Sequence, residues 1–403
     1  MKDGGVTEFF ESYLKQGSLF LDKSALQSNY FPDKIFHRDE QINQLAKILA
    51  PALRGERTSN IFIYGKTGTG KTLTTTHTTA KLAEVARSRG VPLKVVYVNC
   101  KLKKVADTEY RLMAQLCKEF GREVPVTGLP TDEIYSIFYK IIESEKQTIL
   151  LVLDEIDQLV EKSGNSLLYN ITRINSELKN ASLSIIGISN SVVFTEQLDP
   201  RVKSSLSEEA LVFPPYNALQ IQTILKQRTE QAFKQGAVDE GVVEKCSAFA
   251  AREHGDARKA VELMRVAGEL AERECSSKIL MRHIDSAQEK IEKDMIQELV
   301  SLQPKQHQAV LYAAILVSEK RKEQIYTGEI CEAYNSICSQ TGLRPLTQRR
   351  VSDIIAEFDM LGILSAKVIS KGRYGRTREI SVGIPGGSQE KVKKILQEGL
   401  GMR

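Results

Sequence analysis

The eight-residue stretch GKTGTGKT, residues 65 to 72, constrains the fold more than any other part of the sequence. It fits the spacing GxxxxGK[ST] and follows an apolar run at residues 61 to 64, so a buried strand leads into a loop and then a helix. Glycines allow successive backbone N–H groups to turn inward, and the helix N-terminus adds a partial positive charge. The pattern predicts a phosphate-binding loop on a parallel α/β sheet. The plainer alternative is a glycine-rich turn that contains a lysine by chance.

The loop supplies candidate residues for binding ATP or ADP together with Mg²⁺. We expect the Lys71 ammonium to contact the β- and γ-phosphates and the Thr72 hydroxyl to be a ligand of Mg²⁺. The residues predicted to contact the nucleotide here are Gly65, Lys66, Thr67, Gly68, Thr69, Gly70, Lys71, Thr72 and Leu73.

A second apolar run, TILLVLDEIDQL at residues 148 to 159, contains a pair of adjacent carboxylates. Open α/β sheets bind ligands at the carboxyl ends of their strands, where Asp154 and Glu155 would lie. We expect Asp154 to hold Mg²⁺ through water, and Glu155 to orient or deprotonate the attacking water. The alternative for the pair is a solvated acidic strand end with no partner.

A third apolar run, SLSIIGISNS at residues 182 to 191, places Asn190 at the end of another buried strand. Its amide is a candidate for holding the water near the γ-phosphate, and the alternative is an ordinary turn residue. The alternation of strands and helices around the three runs predicts a parallel three-layer α/β domain.

Positive charge is concentrated at the C-terminal end of the chain. From Ser301 onward there are sixteen Lys or Arg against ten Asp or Glu, a surplus of six, whereas the whole chain carries +5. A basic segment on a near-neutral body indicates a polyanionic partner. No apolar run approaches the roughly 18 residues of a membrane helix, so we expect no membrane partner and a cytoplasmic, nucleoid-associated location.

The last hundred residues carry the pattern of a helix followed by a basic hairpin. In LTQRRVSDIIAEFDMLGIL, Thr347 is a candidate N-cap and Gly362 a candidate end, and apolar residues repeat on one face: Val351, Ile354, Ile355, Phe358 and Leu361. The following AKVISKGRYGRTREISV alternates like two strands around a glycine-containing tip. Together they predict a winged helix, with the helix in the major groove and the wing on phosphate or in the minor groove.

Five cations of this segment are candidate DNA contacts. Arg349 and Arg350 lie in the first turn of the helix, and the hairpin carries Lys371, Arg373 and Arg376. The alternative is a solubilising basic hairpin on a winged helix that binds protein.

The motifs, taken in order, resemble those of AAA+ ATPases, and more narrowly those of the archaeal replication initiators related to the eukaryotic origin recognition complex and its partner helicase loader. The resemblance rests on the phosphate loop followed by LVLDEID, GISNS, LDPRVKSSL and HGDARKA, with IFHRDEQINQL before it and VFPPY after it. It implies an α/β fold with an AAA+ P-loop parallel-sheet core at residues 1–216, a helical lid at 217–300 and a C-terminal winged-helix DNA-binding domain at 301–403.

The resemblance also implies nucleotide contacts outside the loop. It places Arg258 against the γ-phosphate, and the alternative is a solvated helix arginine. Gly255 and Asp256 have the pattern of a helix start, which puts Arg258 in the first turn of a lid helix. It places Ile35, Phe36 and Arg38 beside the adenine, where the sequence alone suggests only an ordinary helix entry. It also adds Tyr216, at the end of the core, to the nucleotide-binding residues.

One position departs from the resemblance. Many relatives that hydrolyse ATP between subunits carry a Ser-Arg pair near the end of the core, whereas this chain has Ser204-Ser205. Arg201 is the available candidate for an arginine finger, and a structural salt bridge is an equally good interpretation. An arginine finger contributes several orders of magnitude in rate. Because this chain lacks the arginine of the Ser-Arg pair, we expect weak ATPase activity that acts as a switch.

The resemblance further implies a helical insertion that grips DNA near DTEYRLMAQLCKEFG, residues 107 to 121, where Arg111 is the candidate contact. The same helix could simply pack on the core.

Two functions follow from these observations. The first is an ATP-dependent replication initiator that binds double-stranded origin DNA, helps to load the replicative helicase and acts with paralogous initiators. The alternative is an AAA+ signalling or transcription-regulating NTPase whose winged helix binds a protein or a promoter, because AAA+ cores serve many tasks.

Overall fold

The computed structural model describes residues 17–28, 30–101, 108–125, 128–191, 194, 198–206, 208–320, 325–370, 376–384 and 386–402. The chain divides into two compact units, Met1–Ile284 and Asp285–Arg403. The domain boundaries expected after residues 216 and 300 stay predictions.

A five-stranded parallel sheet forms the centre of the first unit. Its strands are β1 (Asn60–Tyr64), β2 (Leu93–Asn99), β3 (Gln147–Asp154), β4 (Ala181–Ser189) and β5 (Glu208–Val212). They lie in the order β2-β3-β4-β1-β5. The residues of β1, β3 and β4 are almost all buried, as expected for strands covered by helices on both faces.

Two apolar clusters cover the two faces of this sheet. Successive side chains of a strand point to opposite faces, so Phe62 and Leu151 belong to one cluster and their neighbours Ile61 and Val152 to the other. The helices of this part are α1 (Asp39–Leu49), α2 (Lys71–Ser88), α3 (Glu109–Glu119), α4 (Thr131–Glu143), α5 (Ile156–Ser163), α6 (Ser166–Arg173) and α7 (Pro200–Leu206).

Helices follow the sheet along the chain. They are α8 (Ala218–Ala232), α9 (Val242–Arg252), α10 (Ala257–Arg273) and α11 (Met281–Ser301). Helix α8 begins with a reciprocal capping pair between Asn217 and Gln220, and Asp256 caps the N-terminus of α10. Helix α11 runs across the point at which the two compact units divide.

The second unit combines helices with a small antiparallel sheet. Its helices are α12 (Lys305–Lys320), α13 (Thr327–Thr341), α14 (Gln348–Met360) and α15 (Gly386–Leu400), and its strands are β6 (Ile325–Tyr326), β7 (Leu364–Ser370) and β8 (Arg376–Val382). The strand order is β6-β8-β7. A helix followed by a two-stranded hairpin is therefore present, and the predicted fold class, a parallel-sheet α/β core with a helical region and a C-terminal winged helix, is confirmed.

Helix α14 matches its sequence pattern except at its C-terminal end. Thr347 is the N-cap and accepts a hydrogen bond from the Arg350 N–H, and Val351 and Phe358 are buried. The prediction that Leu361 shares the apolar face was wrong, since this side chain is 45% exposed. The helix ends at Met360 and the chain then turns through Gly362, whose φ is +70°.

Within the described part of the chain, none of the helices combines the length and the apolar character needed to cross a membrane.

Candidate nucleotide site and nucleic-acid interface

The loop that follows β1 has the backbone geometry of an anion cradle. Gly68 and Gly70 have φ values of +69° and +85°, in the left-handed region that favours glycine. At Gly68 a Cβ would lie 1.6 Å from the Asp256 Oδ1, so the loop and the start of α10 approach each other as closely as a glycine allows. Helix α2 begins directly after Gly70 and directs its N-terminus at the loop.

Lys71 is enclosed by hydrogen-bond acceptors. Its Nζ donates to the carbonyl oxygens of Gly65 at 2.6 Å and Lys66 at 2.7 Å, and to the Asn190 Oδ1 at 2.9 Å. Burial, and then the nearby positive charge of Arg258, lower the pKa of Lys71 to about 8, while the Asp154 carboxylate opposes the shift. The ammonium therefore sits in the loop, next to a residue at the end of β4.

Thr72 and Asp154 form the candidate metal site. The Thr72 Oγ1 donates to the Asp154 Oδ2 at 2.9 Å, and the Glu155 N–H donates to the Asp154 Oδ1 at 3.0 Å. Asp154 is 5% exposed and ends β3. A hydroxyl and a carboxylate held together at the end of a helix and a strand are the oxygen ligands that Mg²⁺ prefers, so the donor set fits this ion.

Tyr97 also belongs to this group, although the sequence analysis did not find it. Its hydroxyl donates to the same Asp154 Oδ2 at 2.5 Å. Burial, followed by this hydrogen bond, raises the pKa of the Tyr97 phenol above its usual range. The only signal in the sequence is the strand pattern of β2. The parallel register of β2 and β3 brings Asn99 opposite Asp154, and Tyr97, two residues before Asn99, lies on the same face of the strand.

Glu155 and Asn190 lie at neighbouring strand ends but make different contacts. Glu155 has a φ of +54°, which is uncommon for a residue with a side chain, and its Oε2 lies 3.6 Å from the Lys101 Nζ. Asn190 contacts Lys71 through its side chain, and its N–H donates to the Asp157 Oδ1 at 3.4 Å. The structure thus brings Asn190 to the loop lysine and leaves Glu155 at the entry to α5.

A cavity of about 870 Å³ adjoins the loop. It is lined by predicted nucleotide-binding residues from several parts of the chain: Ile35, Phe36, Gly68, Gly70, Thr72, Leu73, Tyr216 and Arg258. Apolar side chains and loop glycines thus share one concave surface of the size that ligand sites have.

Arg38 supports the loop instead of lining the cavity. It is 2% exposed, and its guanidinium donates to the carbonyl oxygens of Thr69 at 2.9 Å and Pro214 at 2.6 Å. The same group lies 3.8 Å from the centre of the Tyr216 ring. Burial lowers the pKa of Arg38, while Tyr216 opposes the shift. Arg38 therefore links the loop to the segment that follows β5.

One wall of the cavity was not predicted from the sequence. Leu26, Tyr30 and Phe31, which precede the predicted adenine segment, line it, together with Arg228 of α8. The Arg228 guanidinium lies 4.4 Å from the centre of the Tyr30 ring and donates to the carbonyl oxygen of Ala25. The aromatic pair Tyr30-Phe31 was the available signal.

The start of α10 contacts the loop directly. Asp256 accepts a hydrogen bond from the Arg258 N–H at 2.8 Å, which confirms the predicted helix start, and from the Thr67 Oγ1 at 3.3 Å. Arg258 itself lines the cavity. A change in the position of α10 would therefore alter the contact between Asp256 and the phosphate loop.

Arg201 and Arg111, the two remaining candidates of the core, lie on helix starts. Arg201 is the second residue of α7, its side chain is 78% exposed, and its Nη2 lies 3.0 Å from the Asp199 Oδ2. Arg111 lies in the first turn of α3, capped by Thr108, while Leu112 and Leu116 of the same helix are buried. Helix α3 thus packs on the core, and both proposed roles stay predictions.

The second unit presents the predicted DNA-contacting arginines. Arg349 and Arg350 are exposed in the first turn of α14, and the Arg350 Nη1 lies 3.3 Å from the Glu357 Oε1. Arg376 begins β8. Lys371 and Arg373 lie outside the described residues. A further hairpin cation, Arg378, donates to the Ser352 carbonyl oxygen at 2.6 Å and so ties β8 to α14.

Comparison with known protein families agrees with this arrangement. Residues 54–193 match the AAA domain, residues 222–289 the Cdc6 AAA+ ATPase-type lid domain, and residues 298–392 the CDC6 C-terminal winged helix domain. Among curated proteins, an ORC1-type DNA replication protein of Thermococcus onnurineus is 50% identical over 399 residues, which cover 98% of this chain and 95% of that protein.

The chain belongs to the family of ORC1-type DNA replication proteins. A second member, ORC1-type DNA replication protein 1 of Methanosarcina mazei, is 50% identical over 400 residues, covering 99% of this chain and 95% of that protein. Since the family includes an ATPase-type lid and an AAA domain, this chain carries an AAA+ ATPase-type nucleotide-binding core.

Solved structures support membership of the ORC1-type family. The Aeropyrum pernix ORC1 protein, whose structure was solved in complex with DNA, matches with a TM-score of 0.80 and 44% identity, covering 94% of this chain and 97% of that chain. A chain from the structure of Drosophila ORC bound to DNA matches with a TM-score of 0.58 at 18% identity, covering 92% and 90%, and shows the shared fold.

Proposed function

We propose that this chain is an ATP-dependent DNA replication initiator that binds origin duplex DNA and helps to load the replicative helicase. The observation that carries this proposal is 50% identity to an ORC1-type DNA replication protein over 98% of the chain. Such coverage includes both the phosphate loop and the winged helix, so the two predicted binding activities belong to one protein.

The nucleotide site is proposed to bind ATP or ADP with Mg²⁺. Lys71 would turn from the loop carbonyls to the β- and γ-phosphates, with the backbone N–H groups of Gly68 and Gly70 beside them. Thr72 and Asp154 would hold Mg²⁺, which neutralises phosphate charge when bound. Ile35, Phe36 and Tyr216 would enclose the base, since they line the same cavity.

Hydrolysis is proposed to be slow and to serve as a switch. Glu155 would orient or deprotonate the attacking water, and Asn190, already bonded to Lys71, would hold it near the γ-phosphate. Arg201 is engaged with Asp199 of its own chain. It could assist a neighbouring subunit only after leaving this partner, so we expect low turnover in the isolated protein.

The coupling between nucleotide and conformation is proposed to pass through α10. Asp256 contacts the phosphate loop through Thr67, and Arg258 faces the cavity two residues later. Arg258 would contact only the γ-phosphate, so ATP and ADP would favour different positions of this helix.

The winged helix is proposed to hold the DNA. The first turn of α14, which carries Arg349 and Arg350, would enter the major groove, with Lys371, Arg373 and Arg376 on phosphate, and Arg111 would add a contact from the core. The related Aeropyrum pernix ORC1 protein was solved in complex with DNA. Paralogous initiators are proposed as further partners.

Duplex binding and helicase loading can be tested together with purified components. We expect the chain to retain duplex DNA with ATP, and to place the replicative helicase of the same cell on closed circular DNA in an ATP-dependent manner. Lys71→Ala should abolish the nucleotide effect and Arg349→Ala should weaken DNA retention. Equal helicase recovery with and without this protein would contradict the loading role.

A further inference from the structure

The adjacent arginines of α14 face different directions. Val351, Ile354 and Phe358 are buried and mark the side of the helix that packs on the core. At about 100° per residue, Arg349 lies nearly opposite that side, while Arg350 lies on the flank, roughly a quarter turn from it. A side chain opposite the core points into a groove that the helix enters, whereas one on the flank meets the sugar-phosphate wall.

Arg350 is already held by a carboxylate two helical turns further along. Its Nη1 lies 3.3 Å from the Glu357 Oε1, and the two side chains are 49% and 40% exposed. Positions seven apart lie on the same stripe of a helix, so this ion pair runs along the flank. The guanidinium is therefore drawn away from the N-terminal turn of α14.

The carboxylate is in turn fixed by a partly buried histidine of another helix. The His307 Nε2 of α12 lies 2.8 Å from the Glu357 Oε2, and the His307 side chain is 14% exposed. The His307 ring also packs edge-on against Phe358, with 6.2 Å between the ring centres. Each oxygen of Glu357 therefore has its own partner, and the packing of α12 against α14 fixes the position of the Glu357 carboxylate.

We propose that Glu357 attenuates DNA binding by holding Arg350 in an ion pair that a DNA phosphate has to displace. The inference rests on the proposed DNA-binding role of the winged helix. Arg350 can leave Glu357 for a DNA phosphate because half-exposed ion pairs are weak. Arg350 then adds little to the affinity of the parent protein, and discrimination between base sequences falls to Arg349, which faces away from the core.

The test compares the removal of two carboxylates from the same helix. Glu357→Gln keeps the size and shape of the side chain but removes its charge, and Asp353→Asn does the same at an exposed position one turn earlier. Fluorescence anisotropy would measure affinity for a cognate and a scrambled duplex at several salt concentrations. Each substitution is made in the parent and in the Arg350→Ala background.

Glu357→Gln should raise affinity for both duplexes by the same factor, several-fold, and make the salt dependence steeper by about one phosphate contact. In the Arg350→Ala background this gain should shrink to that of Asp353→Asn, whose effect should be the same in both backgrounds. Glu357→Asp, which keeps the charge but shortens the reach to Arg350, should also raise affinity. It guards against a Glu357→Gln variant that fails to fold.

Three results would overturn the inference. If Glu357→Gln still raises DNA affinity in the Arg350→Ala background, the gain comes from removing a negative charge near the DNA and not from breaking the ion pair. A Glu357→Gln variant that binds like the parent, while Arg349→Ala still weakens binding, would remove the attenuation and leave the DNA-binding role intact. If Arg349→Ala also binds every duplex like the parent, the proposed DNA-binding role falls, and the inference falls with it.

Discussion

Lys71 in the nucleotide site and Arg349 in the winged helix are both assigned to anionic ligands, yet the chain encloses the first and exposes the second. Lys71 is 6% exposed and has three acceptors within 2.9 Å. Arg349 is exposed at the start of a helix. A single anion of fixed shape is best held by groups already in place, whereas a polyanion is held along its length by solvated cations that release counterions.

The difference predicts how each region responds to substitution. In the enclosed site a lost group leaves buried partners without their hydrogen bonds, so a single change should have a large effect. On the exposed surface each cation contributes one modest, salt-dependent contact.

The largest effect is expected at Glu155. Glu155→Gln should lower the hydrolysis rate by about 10²- to 10⁴-fold, the usual contribution of a general base, while ATP stays bound. Single-turnover hydrolysis and equilibrium binding would measure the two quantities. Glu161→Gln, an exposed change in α5, is the control. Turnover at the parent rate would show that another group positions the water.

The next largest effect is expected for Lys71→Ala, since hydrogen bonds to charged groups are worth about 1.5 to 3 kcal/mol, or roughly 10- to 150-fold in affinity. Calorimetric titration with ATP would measure it, and unfolding curves would check that the fold persists. The control is Lys81→Ala, which removes an exposed lysine from the same helix. Unchanged ATP affinity would rule out the assignment of the phosphate loop.

At the exposed surface, Arg349→Ala should reduce the preference for a cognate over a scrambled duplex. An arginine that contacts a guanine edge is worth about 1 to 3 kcal/mol of discrimination. Anisotropy titrations with both duplexes would give the ratio of the two affinities. A variant that loses affinity for both duplexes equally would make Arg349 a phosphate contact.

The smallest effect is expected for Arg258→Ala. Because this arginine is exposed on α10, its contact with a γ-phosphate should be worth about 1 kcal/mol, or roughly a fivefold loss of preference for ATP over ADP. Competition between the two nucleotides would measure this preference, with Lys259→Ala as the control on the same helix. Equal loss of both nucleotides would place the role of Arg258 in folding.

The contrast between the two regions also separates what the sequence predicted from what it did not. The positions of Gly65 to Leu73, Asp154 and Asn190 could be predicted because spacing and strand ends fix them in a parallel sheet, and their roles stay predictions. Tyr97 was missed because a residue on a half-covered strand carries no motif, and only the register of β2 against β3 places it on Asp154.

Two further residues lie elsewhere than the sequence predicted, because their positions depend on tertiary structure or on the exact end of a helix. Arg38 was expected beside the base, but its long side chain reaches the backbone of the loop, a contact that depends on tertiary structure. Leu361 fits the helical period and is nevertheless exposed, since periodicity does not reveal that the helix ends one residue earlier. Helix starts were easier, as Thr347 and Asp256 show, because N-capping is local chemistry.

Whether this chain initiates replication at origin DNA can be tested by recovering the DNA bound to it in the native cell. We expect strong enrichment at one or a few replication start sites, reduced for a chain that carries Arg349→Ala. Enrichment scattered over promoters, with none at replication starts, would contradict the claim and favour a transcription-regulating NTPase.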